Sequence, residues 1–251
     1  MIEINALTKT FGPVTAVDDV TFRCTPGTIT GFLGPNGAGK TTTMRLMVGL
    51  MRPDAGAVTF DGRAYEALPN PGRHVGVLLD ASAQHAGRTG REALTIAARV
   101  MGVEAGRVEE VLDLVGLTED EAGRRLRTYS LGMQQRLGIG VALLGDPPVL
   151  MLDEPANGLD PGGIRWMRHL LADHRGRGGT VLLSSHLLHE VEQVADRLVL
   201  IGRGRLVAQG SREELLADRP PTTTLEDLFL DMTSDDQREP HADADVAGAR
   251  R

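Results

Sequence analysis

The chain holds a single cysteine among its 251 residues, so Cys24 can form no disulfide within the chain and offers no thiol cluster to a metal. A reducing compartment suits such a chain. Basic residues are also scarce, with 27 Lys and Arg against 34 Asp and Glu and a net charge of −7. That balance disfavours a non-specific nucleic-acid binder, and no nucleic-acid partner is expected. Long apolar runs are missing too. Residues 137–145, with glycines allowed, form the longest, far short of the roughly 18 to 20 residues a spanning helix needs. Any membrane process served by this chain therefore needs another chain to do the spanning. The opening segment, with Glu3 early in it, does not read as a secretion signal. No repeat recurs at a solenoid period. What remains is an ordinary soluble-type composition, long enough for one large domain or a core with a small inserted subdomain.

What the chain does have is Gly34-Pro35-Asn36-Gly37-Ala38-Gly39-Lys40-Thr41, which fits the phosphate-cradling pattern G-x-x-x-x-G-K-[ST]. The apolar run 28–33 before it reads as a buried strand. After it, Thr42 leads into a segment with Met44, Met47, Val48 and Met51 at helical spacing. Strand, glycine loop and helix together give the motif its mechanism. Backbone N–H groups wrap a polyphosphate, and the helix N-terminus adds partial positive charge. Lys40 is expected on the β- and γ-phosphates, and the Thr41 hydroxyl on Mg²⁺. A glycine-rich connection with a chance Lys-Thr would not carry both flanks.

Residues 2–7 and 14–23 alternate apolar and polar positions around Phe11-Gly12-Pro13 and read as antiparallel strands, with another strand at 57–62 and a buried one at 75–79. From Arg91 to about Gly145 the periodicity turns helical, with Leu94, Ala97, Ala98 and Met101 on one face and Val108, Val111, Leu112 and Val115 on another. Strands return at 149–153 and 180–185, separated by a helix across Ile164–His174, and 197–201 with 205–209 suggest a closing hairpin. Residues 234–251 hold almost no large apolar side chain and are expected to be disordered.

The strand at 149–153 ends in two carboxylates, Asp153 and Glu154. In a phosphate-loop protein an acid at this place supports Mg²⁺, which falls to Asp153, and the next can orient and polarise the attacking water, which falls to Glu154. The following strand ends in Ser184-Ser185-His186. His186 could form a metal pair with His189 or be a satisfied structural histidine. Its place at the same sheet edge as Asp153 favours a hydrogen bond to the γ-phosphate.

With these motifs in order, the chain resembles the ATP-binding subunit of ABC (ATP-binding cassette) transporters over residues 1 to about 232. The specific stretch is Tyr129-Ser130-Leu131-Gly132-Met133-Gln134-Gln135-Arg136. It departs from the family's Leu-Ser-Gly-Gly-Gln at three of five places, keeps Ser130 and Gly132, and looks like subunits paired with ABC-2-type exporter permeases. The resemblance implies an α/β fold: a P-loop NTPase core of mixed sheet, an antiparallel β subdomain and an inserted helical subdomain. It sets the core at about 1–79 and 149–210, the insertion at about 80–148, a C-terminal helical segment at about 211–232 and a tail at 233–251. It also implies ATP and Mg²⁺ as ligands, and two copies sandwiching nucleotides head-to-tail. In that sandwich Ser130 and Gly132 of one copy face the γ-phosphate held by the other, and Asp160 lies at the interface. Phe11 falls where relatives stack an aromatic ring on adenine, and Val17 where they pack near the ribose. Asp80 stands where relatives place a glutamine touching Mg²⁺ and water; Gln84 is the alternative, out of register. The implied role is an ATPase powering export through a separate polytopic permease, docked near residues 80–100 at the cytoplasmic face of the membrane. A soluble cassette acting on ribosomes or DNA is the rival, but it predicts tandem cassettes or a long coiled-coil insertion, and neither is present.

Overall fold

The structure is a computed structural model describing residues 1–220 and 223–233. The chain opens with β1 (Ile2–Phe11), β2 (Val14–Cys24), β3 (Ile29–Leu33), α1 (Lys40–Met47), β4 (Ala55–Phe60) and β5 (Val75–Leu78). A helical stretch follows: α2 (Gly90–Val100), α3 (Gly106–Val115), α4 (Glu119–Gly123) and α5 (Leu131–Leu143). Then come β6 (Val149–Asp153), α6 (Pro161–Gly176), β7 (Thr180–Ser185), α7 (Leu188–Glu192), β8 (Arg197–Gly202), β9 (Arg205–Gly210), α8 (Arg212–Leu216) and α9 (Leu225–Thr233).

A three-stranded antiparallel sheet, β2-β1-β4, packs against a six-stranded sheet of order β5-β6-β7-β3-β8-β9, parallel except for β9. Strands β3, β6 and β7 are buried at every residue. Successive side chains supply two cores by alternation. Phe32, Met151, Leu182, Val199 and Ile201 join Ile2, Phe22 and Met44 on the side of the antiparallel sheet. Leu33, Leu150, Leu152, Leu183 and Leu200 join Leu94, Val111 and Ile139 on the helical side. Each such side chain contributes about 1.5–3 kcal/mol on burial, whichever face it takes. Hydrophobicity alone therefore sets the register weakly. The polar ends set it, because Asp153 and Ser184 are both buried and a slip that separated them would leave buried polar groups unpaired. In the observed register Asp153 lies opposite Ser184.

The helix starts follow their caps. Thr89 with Glu92, and Thr118 with Glu121, form capping boxes for α2 and α4. Asp160 accepts a hydrogen bond from Gly163 N at 2.7 Å and is followed by Pro161, so α6 begins three residues before the expected Ile164. The strand expected at 57–62 ends instead at Phe60, where Asp61 and Gly62 turn with positive φ. Met51 lies beyond α1, which stops at Met47 before a left-handed Gly49. The disorder expected of the tail concerns residues outside those described, apart from Thr233, which ends α9.

Candidate active site

The C-terminal ends of β3, β6 and β7 lie side by side, the edge of a parallel sheet where ligands bind in folds of this kind. From β3 the chain enters the glycine loop. Its tip, Asn36 and Gly37, is exposed, and Ala38 is buried with its N–H bonded to the Pro35 carbonyl. Gly39 has φ +102°, and a Cβ there would stand 2.4 Å from the Ala16 carbonyl oxygen, so only glycine fits. Gly39 gives α1 no capping side chain, and the first turn carries no acid. The first amides of the helix are thus directed at the loop, where an anion suits them. Lys40 is 6% exposed. Its Nζ donates to the carbonyls of Gly34 at 2.7 Å and Pro35 at 3.3 Å and sits 3.6 Å from Glu154 Oε1. Burial pulls the Lys40 ammonium below its usual pKa, while the carboxylates of Glu154 and Asp153 partly hold it up.

Across the edge, the Thr41 hydroxyl donates to Asp153 Oδ2 at 2.7 Å, and the Ser184 hydroxyl donates to the other oxygen of the same carboxylate. Ser184 Oγ also accepts from the Glu154 N–H at 3.0 Å. Glu154 sits at φ +47°, a left-handed conformation that costs a non-glycine residue about 1–2 kcal/mol. Its carbonyl accepts from Gln135 Nε2 and from Asn157 N, both at 3.1 Å. Its carboxylate stands between Lys40 and His186, whose Nδ1 lies 2.9 Å from Glu154 Oε2. Lys40, Thr41, Asp153, Glu154, Ser184 and His186 thus form one connected polar group.

The oxygen donors here are a hydroxyl and a carboxylate. Among the described residues no three or more His, Cys, Asp or Glu side chains gather where they could hold a metal. That set fits Mg²⁺, which takes one or two carboxylates, keeps waters and completes its shell with phosphate oxygens; it does not fit a structural zinc site.

A second feature lies at the start of α5. Ser130 Oγ accepts from Met133 N at 3.2 Å, capping the helix. Ser130, Gly132, Gly158 and Asp160 line one open cavity of about 340 Å³. The close approach needs Gly132, because a Cβ there would stand 2.8 Å from the Gly158 carbonyl oxygen.

A phosphate loop, a strand-end carboxylate pair and a capped helix start in this arrangement narrow the possibilities, and comparison with known proteins decides among them: the family described as ABC transporter matches residues 17–157, more than half the chain. This chain belongs to the ABC transporter family. It is 44% identical over 210 residues to the uncharacterized ABC transporter ATP-binding protein YhcH of Bacillus subtilis, covering 82% of this chain and 68% of that protein. Over 216 residues it is 40% identical to the bacitracin transport ATP-binding protein BcrA of Bacillus licheniformis, covering 83% and 69%. Over 224 residues it is 38% identical to the Nod factor export ATP-binding protein I of Paraburkholderia xenovorans, covering 86% and 72%. A solved ATP-binding subunit of an ABC transporter superposes with a TM-score of 0.84 at 28% identity, over 92% of this chain and 99% of that one. A dimeric bacterial ABC transporter cassette shares the fold with a TM-score of 0.77 at 22% identity, over 84% and 98%. The chain is an ATP-binding, ATP-hydrolysing subunit of an ABC transporter.

Within this ABC subunit, three residues singled out from the sequence lie differently from the expectation. Val17 is wholly buried, packed in the core beneath the antiparallel sheet, and has no surface to offer a ribose. Asp80 is exposed, and its Oδ1 accepts from Ser82 N at 2.8 Å and Ser82 Oγ at 2.6 Å. These bonds, with Arg45 nearby, hold its carboxyl below the usual range, and the carboxylate is engaged in closing a local turn. Gln84 instead lines a cavity of about 110 Å³ with Arg127 and Gln134. Phe11 is 47% exposed at the end of β1, beside the turn to β2, where a flat ring is open to stacking. Sequence reasoning missed Ser184 as a partner of both acids, and Gln135. Gln135 carried a signal, since it is a polar residue spaced with Ile139 and Ala142 on the buried face of α5.

Proposed function

We propose that the chain powers export by a separate membrane permease, and that the polar group at the sheet edge performs the hydrolysis. The connected set running from Lys40 through Glu154 to His186 carries this reading. The loop amides of Gly34–Thr42 and the Lys40 ammonium bind the β- and γ-phosphates, with Lys40 exchanging its carbonyl partners for phosphate oxygens. Thr41 and Asp153 hold Mg²⁺, which when bound neutralises charge on the phosphates. Glu154 orients a water in line with the γ-phosphorus and takes its proton as the bond to the bridging oxygen breaks, releasing ADP and phosphate. An ionised Glu154 only accepts, so His186 Nδ1 carries the hydrogen of their contact, and Nε2 is left to face a γ-phosphate oxygen.

Ser130, Gly132 and Asp160 stand together on a cavity apart from that group, which supports their serving a nucleotide brought by a second copy. The relative named for Nod factor export and the Tyr-Ser-Leu-Gly-Met variant support export. No helix among the described residues is long and apolar enough to cross a membrane, which supports a separate permease chain and a peripheral place beside it. The unit for this role is residues 1–232, with the α2–α5 stretch as the permease-facing insertion. Lys40→Ala should abolish ATP turnover by the purified chain, because the phosphate charge goes uncompensated. Wild-type turnover in that variant would sink the assignment.

A further inference from the structure

We infer that Gln135 is a positioning residue for hydrolysis, holding the Glu154 backbone in its left-handed conformation from the helix that begins at Ser130. The inference rests on the reading of Glu154 as the base. Gln135 is 4% exposed and shares the inner face of α5 with Gly138, Ile139 and Ala142. Packing alone gives no reason for an amide there, since a Met would fill the volume without a polar group to satisfy. The amide has a partner, the carbonyl of Glu154, 3.1 Å from Nε2.

Glu154 is gripped at both ends by side chains from different elements. Ser184 of β7 takes its N–H, and Gln135 of α5 donates to its carbonyl. A non-glycine residue keeps a positive φ only where its surroundings over-determine it. The direction of the Cα–Cβ bond turns with φ and ψ, so the grip on the peptide also aims the carboxylate. Released on the α5 side, Glu154 can relax toward the common backbone regions, and its carboxylate swings away from the place between Lys40 and His186. Lys40, Thr41 and the loop amides make no contact through Gln135, so nucleotide binding stays intact.

The test compares Gln135→Met, which keeps length and volume without an N–H donor, with Gln135→Glu, each alone and combined with Glu154→Gln. Single-turnover and steady-state ATP hydrolysis are followed in the purified full chain alongside a thermal melt. Gln135→Met should lower kcat about ten- to a hundredfold, with KM for ATP within about twofold of wild type. Added to Glu154→Gln it should cost no further rate, because the group it positions is already gone. Gln135→Glu supplies the decisive signature. The carboxyl group it introduces can donate to the Glu154 carbonyl when protonated and cannot when ionised. Its rate relative to wild type should therefore climb as pH falls, while the ratio for Gln135→Met stays flat. A folded Gln135→Met with wild-type kcat would overturn the inference, as would a rate loss of the same size in the Glu154→Gln background. If the Met variant does not fold, a pH-independent ratio for Gln135→Glu overturns it instead. Wild-type rates in Glu154→Gln itself would overturn the assignment of the base, a separate failure.

Discussion

Single side chains in this protein are given their tasks by what surrounds them. Cys24 illustrates the inert case: it is wholly buried, and burial pushes its thiol up to about 12, so it stays protonated and unreactive at neutral pH. Asp80 illustrates a residue whose neighbours redirect it. Its carboxylate is already engaged by Ser82 in a local turn, and that engagement predicts the outcome of Asp80→Ala. The variant should lose less than about 1 kcal/mol of stability, as is usual for an exposed polar contact. The Mg²⁺ concentration needed for half-maximal ATP hydrolysis should not move. Titrating Mg²⁺ against rate for both proteins checks this, and a clear shift would return Asp80 to the metal. Gln84 lies apart from this turn contact, on the cavity it shares with Gln134 and Leu137 of α5.

Elements are tied to each other by a few polar joints laid over the apolar core. Arg136 of α5 donates to the Val115 carbonyl at 2.7 Å and lies 4.3 Å above the ring of Trp166 on α6. Trp166 Nε1 in turn donates to the Leu114 carbonyl at 2.9 Å. The C-terminal end of α3 is thereby clamped to both helices that begin at the Ser130–Asp160 cavity, and this cation–π contact adds about 0.5–2 kcal/mol to the packing. At the far end of α6, His174 is 4% exposed, and its Nε2 has no partner. A Cβ on Gly179 would stand 2.3 Å from that nitrogen, so the ring is pressed against the chain entering β7. Burial, aided by Arg177, holds His174 below its usual value of 6.5, with the Pro148 carbonyl and Asp146 opposing. The folded-state pKa is thus depressed, and the unfolded chain binds a proton that the folded chain refuses. Stability should therefore fall as pH drops through 6.5, and keep falling until the folded histidine itself titrates. His174→Gln, which keeps an N–H donor and does not titrate, should flatten the dependence of Tm on pH between about 7.5 and 5.5. An unchanged slope would place the acid sensitivity elsewhere.

At the scale of the whole molecule, the polar group at the sheet edge and the Ser130–Gly132–Asp160 cavity form two distinct places on one chain. In the proposed sandwich, a second copy turned head-to-tail would bring each cavity over the other's phosphate loop, so that two nucleotides would bridge four half-sites. Blocking hydrolysis should trap that assembly. Glu154→Gln with Mg-ATP should elute as a dimer in size-exclusion chromatography, and as a monomer without nucleotide. A monomer at high protein concentration with saturating Mg-ATP would count against the sandwich.

What the sequence by itself determined is the chemistry of contiguous stretches. Gly34–Thr41 between a buried strand and a helix specifies a phosphate site because loop, lysine and helix start are neighbours in the chain, with nothing distant required. The same holds for Asp153 at its strand end. The tertiary structure alone decided which distant groups meet. Glu154 is set by Gln135, 19 residues before it, and Ser184, 30 residues after it, and neither pairing has a local pattern. Val17 stands between Ala16 and Asp18 with no local mark of burial, yet it is wholly buried in the core shared by the two sheets. The reason is physical. Local periodicity records which face of an element is apolar, but strands buried on both faces carry no such record. Their order and register, and so the company each polar end keeps, follow from how the sheets and helices pack together.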